Sequence, residues 1–598
     1  MDEVGLLEFG PGPRDTLRDG NIMGAGCYMD KYIELQVSLP HEHTPPAMTI
    51  ITRSILGTVL VVRRALNILI AELYPRLVRA GPSFRQTRRR IREGGHATVA
   101  ALAQVAAVST EIEKGGDTML PITIKTDKGD QTIPVTQWTL AFVAKEFIRT
   151  GRPEFDQPLS RGLIAFYSNW YTSIIDPPSP ASAFSRTARK RRALSILIRM
   201  DYEQLALQRL SYVAEVARTL ILLEDTPPLL SNNSYDPRTE FPLISGLTIH
   251  ECIGLGMAAY TRSHNPTRHT FTAPNLTPSG VSGGTLSARN VTHFLDHVSA
   301  SYRTLQVQIA TEEKQLPGME KYALNPLFKW PIVRTHLVDP NGEPILVAPI
   351  PSLILYRVTH GLYWDLLDRW SRNSAASPTP IPDFPSYFGR AFEHYVGQLL
   401  AEFIPPPCLI PEQEYGPRTE RRRSCDWIVL EGDTAILLEC KTSRLHKTTK
   451  ATGDPEDFLE QASDTYAKAV VQILRTKRAI EAKALVLPST PKGYLAMVVL
   501  FDHLLTSAVH LKEDLRHLVP RMDNSFSPSD VDAIDYRIIP IRILENFAPK
   551  FPSVGLSGAF VAANWNQMPE RNRSSPGLPL LLTRRFDLFE QFMRSAFP

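Results

Sequence analysis

The chain has 598 residues, 43% of them hydrophobic and 21% charged, with a formal net charge of +4. Such length suits roughly two to four domains, and the composition excludes a disordered or collagen-like chain. A charge this small neither predicts nor excludes nucleic-acid binding, which local clusters must decide.

Cys27, Cys252, Cys408, Cys425 and Cys440 form no C-x-x-C pair, which argues against a disulfide framework or a structural zinc site and for a reducing cytoplasm. The opening residues carry acids early and lack an apolar core, so no secretory leader is expected. The apolar window 48–73 is interrupted by Arg53, Arg63 and Arg64. It reads as an amphipathic or buried helix rather than a membrane span, and the protein is expected to be soluble and cytoplasmic.

In chain order, residues 1–260 read as a mostly helical region with short hairpins. His41-Glu42-His43 sits in a Pro-flanked loop and reads as a solvated turn before it reads as a metal site. Arg85, Arg88, Arg89 and Arg92 share one face of a helix, either a solvated face or a phosphate-tracking stripe. Residues 94–112 predict a packed helix. PITIKT and QTIPVT, flanking Asp127-Lys128-Gly129-Asp130, predict a hairpin. A second basic run, Arg186 with Arg189, Lys190, Arg191 and Arg192, reads first as a helix start and second as a DNA-contact face. His250-Glu251-Cys252 does not continue into a zincin motif, because position 254 is Gly254.

Residues 261–292, rich in Ser, Thr, Gly and Pro, predict a flexible loop or linker. Residues 293–370 predict mixed helices and a hairpin around Pro340-Asn341-Gly342. Their aromatics, Phe328, Trp330, Tyr356, Tyr363, Trp364 and Trp370, are expected in a core rather than stacked on bases. SRNSAASPTPIPDFPS, residues 371–386, reads as a linker into a module at 387–545, with 546–598 a C-terminal extension.

The module carries the chemistry. Phe388, Phe392, Tyr395, Leu399 and Phe403 mark a helical stripe with Glu393 on its flank, between Gly389 and Gly397. CLIPEQEYG predicts the first strand of a sheet. Gly432-Asp433 between apolar runs is a two-residue hairpin signal. Pairing outward from it, 431 with 434 and 430 with 435, sets Asp426 opposite Glu439, with Lys441 on the same face. Two carboxylates so placed repel, and a divalent cation with oxygen ligands offsets them most simply. A neighbouring ammonium can orient water and oppose charge developing on a phosphate. Arg418, Arg421, Arg422 and Arg423 precede Asp426, and Arg444 follows Lys441. All five are candidate phosphate contacts. Glu412 and Glu414 are candidate additional acids. Residues 458–483 predict one helix, and ALVLP, YLAMVVLF and YRIIPIRIL predict further strands.

An acid, then acid-x-Lys on paired strands, after a helix with G-x-x-x-E, resembles the PD-(D/E)xK nuclease superfamily. Its members include restriction endonucleases, resolvases and phage-defence nucleases. The matching residues are Glu393, Asp426, Glu439 and Lys441, with Cys425 where the family often has Pro. The resemblance spans about residues 380–505. It implies a restriction-endonuclease-like αβββαβ core within an α/β (mixed α+β) chain. It also implies Mg²⁺, with Mn²⁺ a possible substitute, held by Asp426, Glu439, Glu393 and the Cys440 carbonyl. Related nucleases often carry a Gln on the following helix, and Gln472, which the resemblance implies would position water or substrate as part of the catalytic set, fits that context better than Gln461. The implied activity is hydrolysis of nucleic acid, most simply DNA, to 5′-phosphate and 3′-hydroxyl ends. Defence or repair is a role by analogy only. Two alternatives stay open: a nucleic-acid-binding module that does not cut, and a structural subunit of a larger assembly or homo-oligomer.

Overall fold

A hairpin needs two strands that can bury one face and a turn that accepts unusual backbone angles. Residues 427–441 supply both. In the computed structural model, Trp427–Glu431 and Thr434–Lys441 pair antiparallel, 431 with 434 through 427 with 438, around Gly432 at φ 56°. The expected register is the observed one.

The structure describes residues 99–115, 119–126, 129–150, 160–173, 198, 211–230, 235–265, 269–277, 286–317, 320–377, 379, 381–442, 444, 446–502, 511–562 and 578–596. The arginine runs at 85–92 and 186–192, the His41-Glu42-His43 turn and the window 48–73 lie outside them. No single described helix is long and apolar enough to cross a membrane.

The chain divides into two units: residues 1–193 with 302–325 and 347–350, and the remainder. The first unit packs helices α1 (Val99–Gly115) and α2 (Gln137–Thr150) with a hairpin of β1 (Met119–Thr126) and β2 (Gly129–Thr136). Thr126 pairs with Gly129, so the expected turn is shorter than its four-residue signal. Lys145, on α2, is buried and donates to the Ala323 carbonyl at 2.9 Å.

The second unit contains α3 (Tyr212–Leu220), α4 (His360–Ala376), α5 (Phe384–Ala401), β3 (Leu409–Pro411), β4 (Glu414–Tyr415), β5 (Arg422–Arg423), β6 (Trp427–Glu431) and β7 (Thr434–Lys441). After these come α6 (Lys447–Thr452), α7 (Lys468–Glu481), β8 (Gly493–Leu500), β9 (Asp535–Pro540), α8 (Ile541–Phe547) and α9 (Leu580–Ala596). The architecture is mixed α/β. Its main sheet has the order β9-β8-β7-β6-β3. The β6 strand runs antiparallel to both neighbours, whereas β7, β8 and β9 are mutually parallel. Ile428, Leu430, Ala435 and Leu437 pack with Val470, Ile473 and Leu474 of α7 in one core. On α5, Phe388 and Phe392 meet Phe501 with centroids at 5.0 and 5.4 Å, edge to face.

Several expectations need correction. Residues 371–386 do not separate domains, since both flanks belong to the second unit. Helix α4 continues through Ala376, and α5 begins at Phe384. Ser and Ala are tolerated in a helix, and the break is delayed until the prolines that follow. Within 261–292 stand a helix reaching Ser263, a strand at Thr270–Phe271 and a 3₁₀ turn at Ala273–Leu276. ALVLP is not a strand: Lys483 turns the chain at φ 59°, and Val486 is exposed. The next strand is β8. CLIPEQEYG splits into β3, in the main sheet, and β4, which pairs with β5 as a separate ribbon. The expected helix over 458–483 is interrupted by a π turn at Ser463–Ala467.

A buried ionic network clamps α5. Arg218, 1% exposed, grips Glu545 with Nε–Oε1 and Nη2–Oε2 both at 2.7 Å, and Glu215 at 2.8 Å. Glu215 is also met by His360 at 2.7 Å and Arg542 at 2.6 Å, and Tyr395 of α5 donates to Glu545. Every charge has partners, so the network costs little while intact and much when broken. Arg218→Ala leaves the buried Glu545 carboxylate without a cation, and urea unfolding should show a loss of about 3–5 kcal/mol. A loss under about 1 kcal/mol would show that water already reaches this cluster.

Candidate active site

The last described pair of the β6–β7 ladder is Trp427 with Leu438. One step further the strands carry Asp426 and Glu439. Asp426 Oδ2 accepts a hydrogen bond from the Cys440 backbone N–H at 2.6 Å. Because N–H and C=O of one strand residue point to the same side, the Cys440 carbonyl is also directed toward the β6 edge, beyond its last ladder pair. Glu439 is 1% exposed and Asp426 9%. Glu439 Oε1 accepts from Lys441 Nζ at 2.6 Å, whereas Glu439 Oε2 is buried with no partner.

Burial and mutual repulsion dominate the electrostatics. Loss of water, and then the Asp426 charge, push the Glu439 carboxyl up to about 8, although the Lys441 ion pair opposes this. Loss of water, Asp426 and Glu412 raise Glu393 to about 7. Burial also raises the Asp426 and Glu412 carboxyls from their usual values. Lys441 behaves oppositely: burial favours the neutral amine, but Glu439 outweighs it and holds the pKa above its usual value. It is therefore an ammonium, suited to orienting water and opposing negative charge rather than to taking a proton.

Glu393, on α5, senses Asp426, Glu412 and Lys441 and so joins the acid group. Close packing of α5 on β6 brings it there. Trp427 Nε1 donates to the Glu393 carbonyl at 3.1 Å. At Gly397, one turn on, a Cβ would lie 2.0 Å from the Trp427 ring. Gly389 faces nothing within 4 Å, so only one of the two glycines serves this approach. Of the other candidate acids, Glu412 belongs to the group, pairing with Arg423 at 3.3 Å. Glu414 is exposed and pairs with Arg421 at 2.6 Å on the ribbon.

Two expected contacts take different places. Gln472 Nε2 donates to the Ser424 carbonyl at 2.9 Å. The neighbouring Thr476 hydroxyl accepts from Cys425 N–H at 2.8 Å. Gln472 is thus a positioning residue that fixes the chain entering Asp426. Thr476 shares this task and was not singled out from sequence, although its i+4 spacing from Gln472 puts both on one helix face. Arg444 is not displayed to a phosphate backbone. Its guanidinium lies 3.9 Å from the Tyr363 ring centroid, 4.8 Å from Phe501 and 5.3 Å from Trp364, with Nε and Nη2 buried. Tyr363 and Trp364, expected in a core, are only partly buried, and Phe501 is buried. Arg418, Arg421, Arg422 and Arg423 are exposed.

Among the described residues, no three His, Cys, Asp or Glu side chains are arranged as a ready-made metal cage. The donor set nonetheless suits a hard cation. Mg²⁺ characteristically takes one or two carboxylates, keeps several waters and leaves positions for substrate phosphates. Asp426, the unpartnered oxygen of Glu439 and the Cys440 carbonyl are donors of that kind.

The raised acids predict how stability responds to pH. A carboxyl harder to ionise in the folded chain favours folding at low pH, and that advantage is lost as pH rises through the folded-state value. In EDTA, thermal stability should therefore fall between about pH 5 and 8, and Glu439→Gln should remove most of the fall. A flat wild-type profile would show that the pair is not desolvated. Separately, Gly397→Ala should displace Trp427 and cost about 1–3 kcal/mol in urea unfolding. An unchanged midpoint would mean that helix and strand are not in close contact.

No protein-family model, curated protein or solved structure matches this chain.

Proposed function

We propose that this chain is a metal-dependent nuclease, most simply of DNA, with a restriction-endonuclease-like core built on α5, β3, β6, β7, α7 and β8. The observation that carries the reading is Glu439: a buried carboxylate facing Asp426, with one oxygen held by Lys441 and the other without a partner. Leaving a buried acceptor unpaired costs about 1–3 kcal/mol, and more for a charged one, so the arrangement favours a ligand that supplies the missing contact. When bound by Asp426, Glu439 and the Cys440 carbonyl, Mg²⁺ or Mn²⁺ would supply Lewis-acid stabilisation of phosphate charge and a water more easily deprotonated.

The remaining work falls to the chain itself. Lys441 orients the attacking water and stabilises charge on the phosphate as the P–O bond breaks. Glu393, with its pKa raised toward neutrality, holds a water or proton at the edge of the acid group. Gln472 and Thr476 keep Asp426 in place through the backbone of residues 424 and 425. Cleavage to 5′-phosphate and 3′-hydroxyl ends follows from the resemblance to PD-(D/E)xK enzymes, and a role in defence or repair rests on analogy alone.

One observation favours a second reading. The Lys441–Glu439 ion pair is closed, and three acid side chains do not form a cage. A member of such a fold that binds nucleic acid without cutting, or that serves as a structural subunit, would retain this pair.

A cleavage assay separates the readings. Purified protein is incubated with supercoiled plasmid, linear duplex, single-stranded DNA and RNA, in Mg²⁺, Mn²⁺ or EDTA. Metal-dependent cutting should fall by about 10²-fold or more in Lys441→Ala, and Glu439→Gln should abolish it. Binding without cutting in any metal would favour the second reading.

A further inference from the structure

We propose that the β4–β5 ribbon enters the major groove of a B-form duplex, so that the acid site receives double-stranded DNA. The inference deepens the nuclease reading and rests on it for chemistry, but binding and cleavage are read separately in its test.

The ribbon is rooted beside the acids. Gln413 and Ser424 form its base: Ser424 N–H donates to the Gln413 carbonyl, and Gln413 N–H donates to Ser424 Oγ, both at 2.9 Å. Gln472 and Thr476 hold residues 424 and 425 to α7. Asp426 follows two residues after that base. A rigid root therefore sets where the ribbon stands relative to the catalytic edge.

Above the root, every residue from 414 to 423 except Tyr415 is exposed. The tip is tight, with Gly416 at φ 92° and room for a Cβ limited by the Glu420 carbonyl at 3.1 Å. Arg421 and Arg423 are held by Glu414 and Glu412, whereas Arg418 and Arg422 have no side-chain partner among the described residues. Glu412, Glu414 and Glu420 nearly balance these four arginines. Near-neutrality disfavours indiscriminate polyanion binding and favours a fitted surface.

Dimensions select the partner. At about 3.3 Å per residue, the paired strands rise about 7 Å from Gln413 to Tyr415, and a turn in which Glu420 N–H donates to the Pro417 carbonyl at 2.9 Å caps them. The B-DNA major groove, about 12 Å wide and 8.5 Å deep, admits a two-stranded ribbon. The major groove of duplex RNA is too narrow for side chains to read, and a single strand offers no groove. A second grip comes from α5. Arg390 is exposed, lacks a side-chain partner among the described residues and precedes Glu393 by three residues, on nearly the same helix face. A guanidinium there can hold a phosphate flanking the bond that Asp426 and Glu439 address.

Fluorescence anisotropy of the full chain tests this, with Ca²⁺ in place of Mg²⁺. The probes are one sequence as duplex DNA, single-stranded DNA and duplex RNA. The wild type should prefer duplex DNA by roughly 10-fold or more. Arg418→Ala/Arg422→Ala should lose roughly 10-fold or more of that affinity and flatten the log affinity–log salt slope by about 2, with an unchanged unfolding midpoint. Arg390→Ala should flatten the slope by about 1 without altering the preference. Equal affinity for all three probes, preference for RNA, or an unaffected double variant overturns the proposal. Ribbon-dependent duplex binding with no cleavage in any metal defeats the nuclease reading and leaves this one standing. Cleavage indifferent to the ribbon does the reverse.

Discussion

Burying two carboxylates at the end of one hairpin is the constraint around which the second unit is built. Asp426 and Glu439 cannot both ionise cheaply there, because the strands exclude water and each acid raises the other's cost. The surroundings offset only part of that cost. The Cys440 N–H takes one oxygen of Asp426, and Lys441 takes one oxygen of Glu439. With Glu439 Oε2 left unmatched, burial outweighs the ion pair.

Neighbouring elements prevent the acids from escaping this position. On one side of the hairpin, Gly397 lets the Trp427 ring approach α5, which brings Glu393 within reach of the Asp426 charge. Along α7, Gln472 and Thr476 fix residues 424 and 425 by their backbone atoms. Helix α5 is in turn tied through Tyr395 to the buried Arg218–Glu545 pair. The electrostatic cost at the acids is thus sustained by packing at a distance from them.

Local signals in the sequence proved sufficient for the hairpin. Gly432-Asp433 fixes the turn, and pairing outward from it fixes the register, which places Asp426 against Glu439 before any tertiary contact is known. The PITIKT–QTIPVT hairpin is legible for the same reason. What failed depended on contacts between remote segments. ALVLP has strand composition but follows directly on the turn at Lys483 and leaves Val486 exposed, and β8 forms from the next apolar run. Arg444 resembles a phosphate ligand by its place after Lys441, yet Tyr363, Trp364 and Phe501 arrive from elsewhere and cover it. Gln472 is expected to position water or substrate, and only the packed helix reveals that its amide ends on the Ser424 carbonyl. Residues 371–386 look like a linker because proline and serine dominate them, whereas the packing on both sides makes one unit.

The central claim is that the acid pair is a divalent-cation site, and direct titration of the full chain with Mn²⁺ tests it most plainly. Followed by the loss of the free-ion electron paramagnetic resonance signal, wild-type protein should bind Mn²⁺ near neutral pH and more tightly as pH rises, because protons and metal compete for the same oxygens. Glu439→Gln should weaken binding by about 10-fold or more, with the fold intact. Equal Mn²⁺ binding by wild type and variant, or none by either, would contradict the account and leave Asp426, Glu439 and Lys441 as a structural ion cluster.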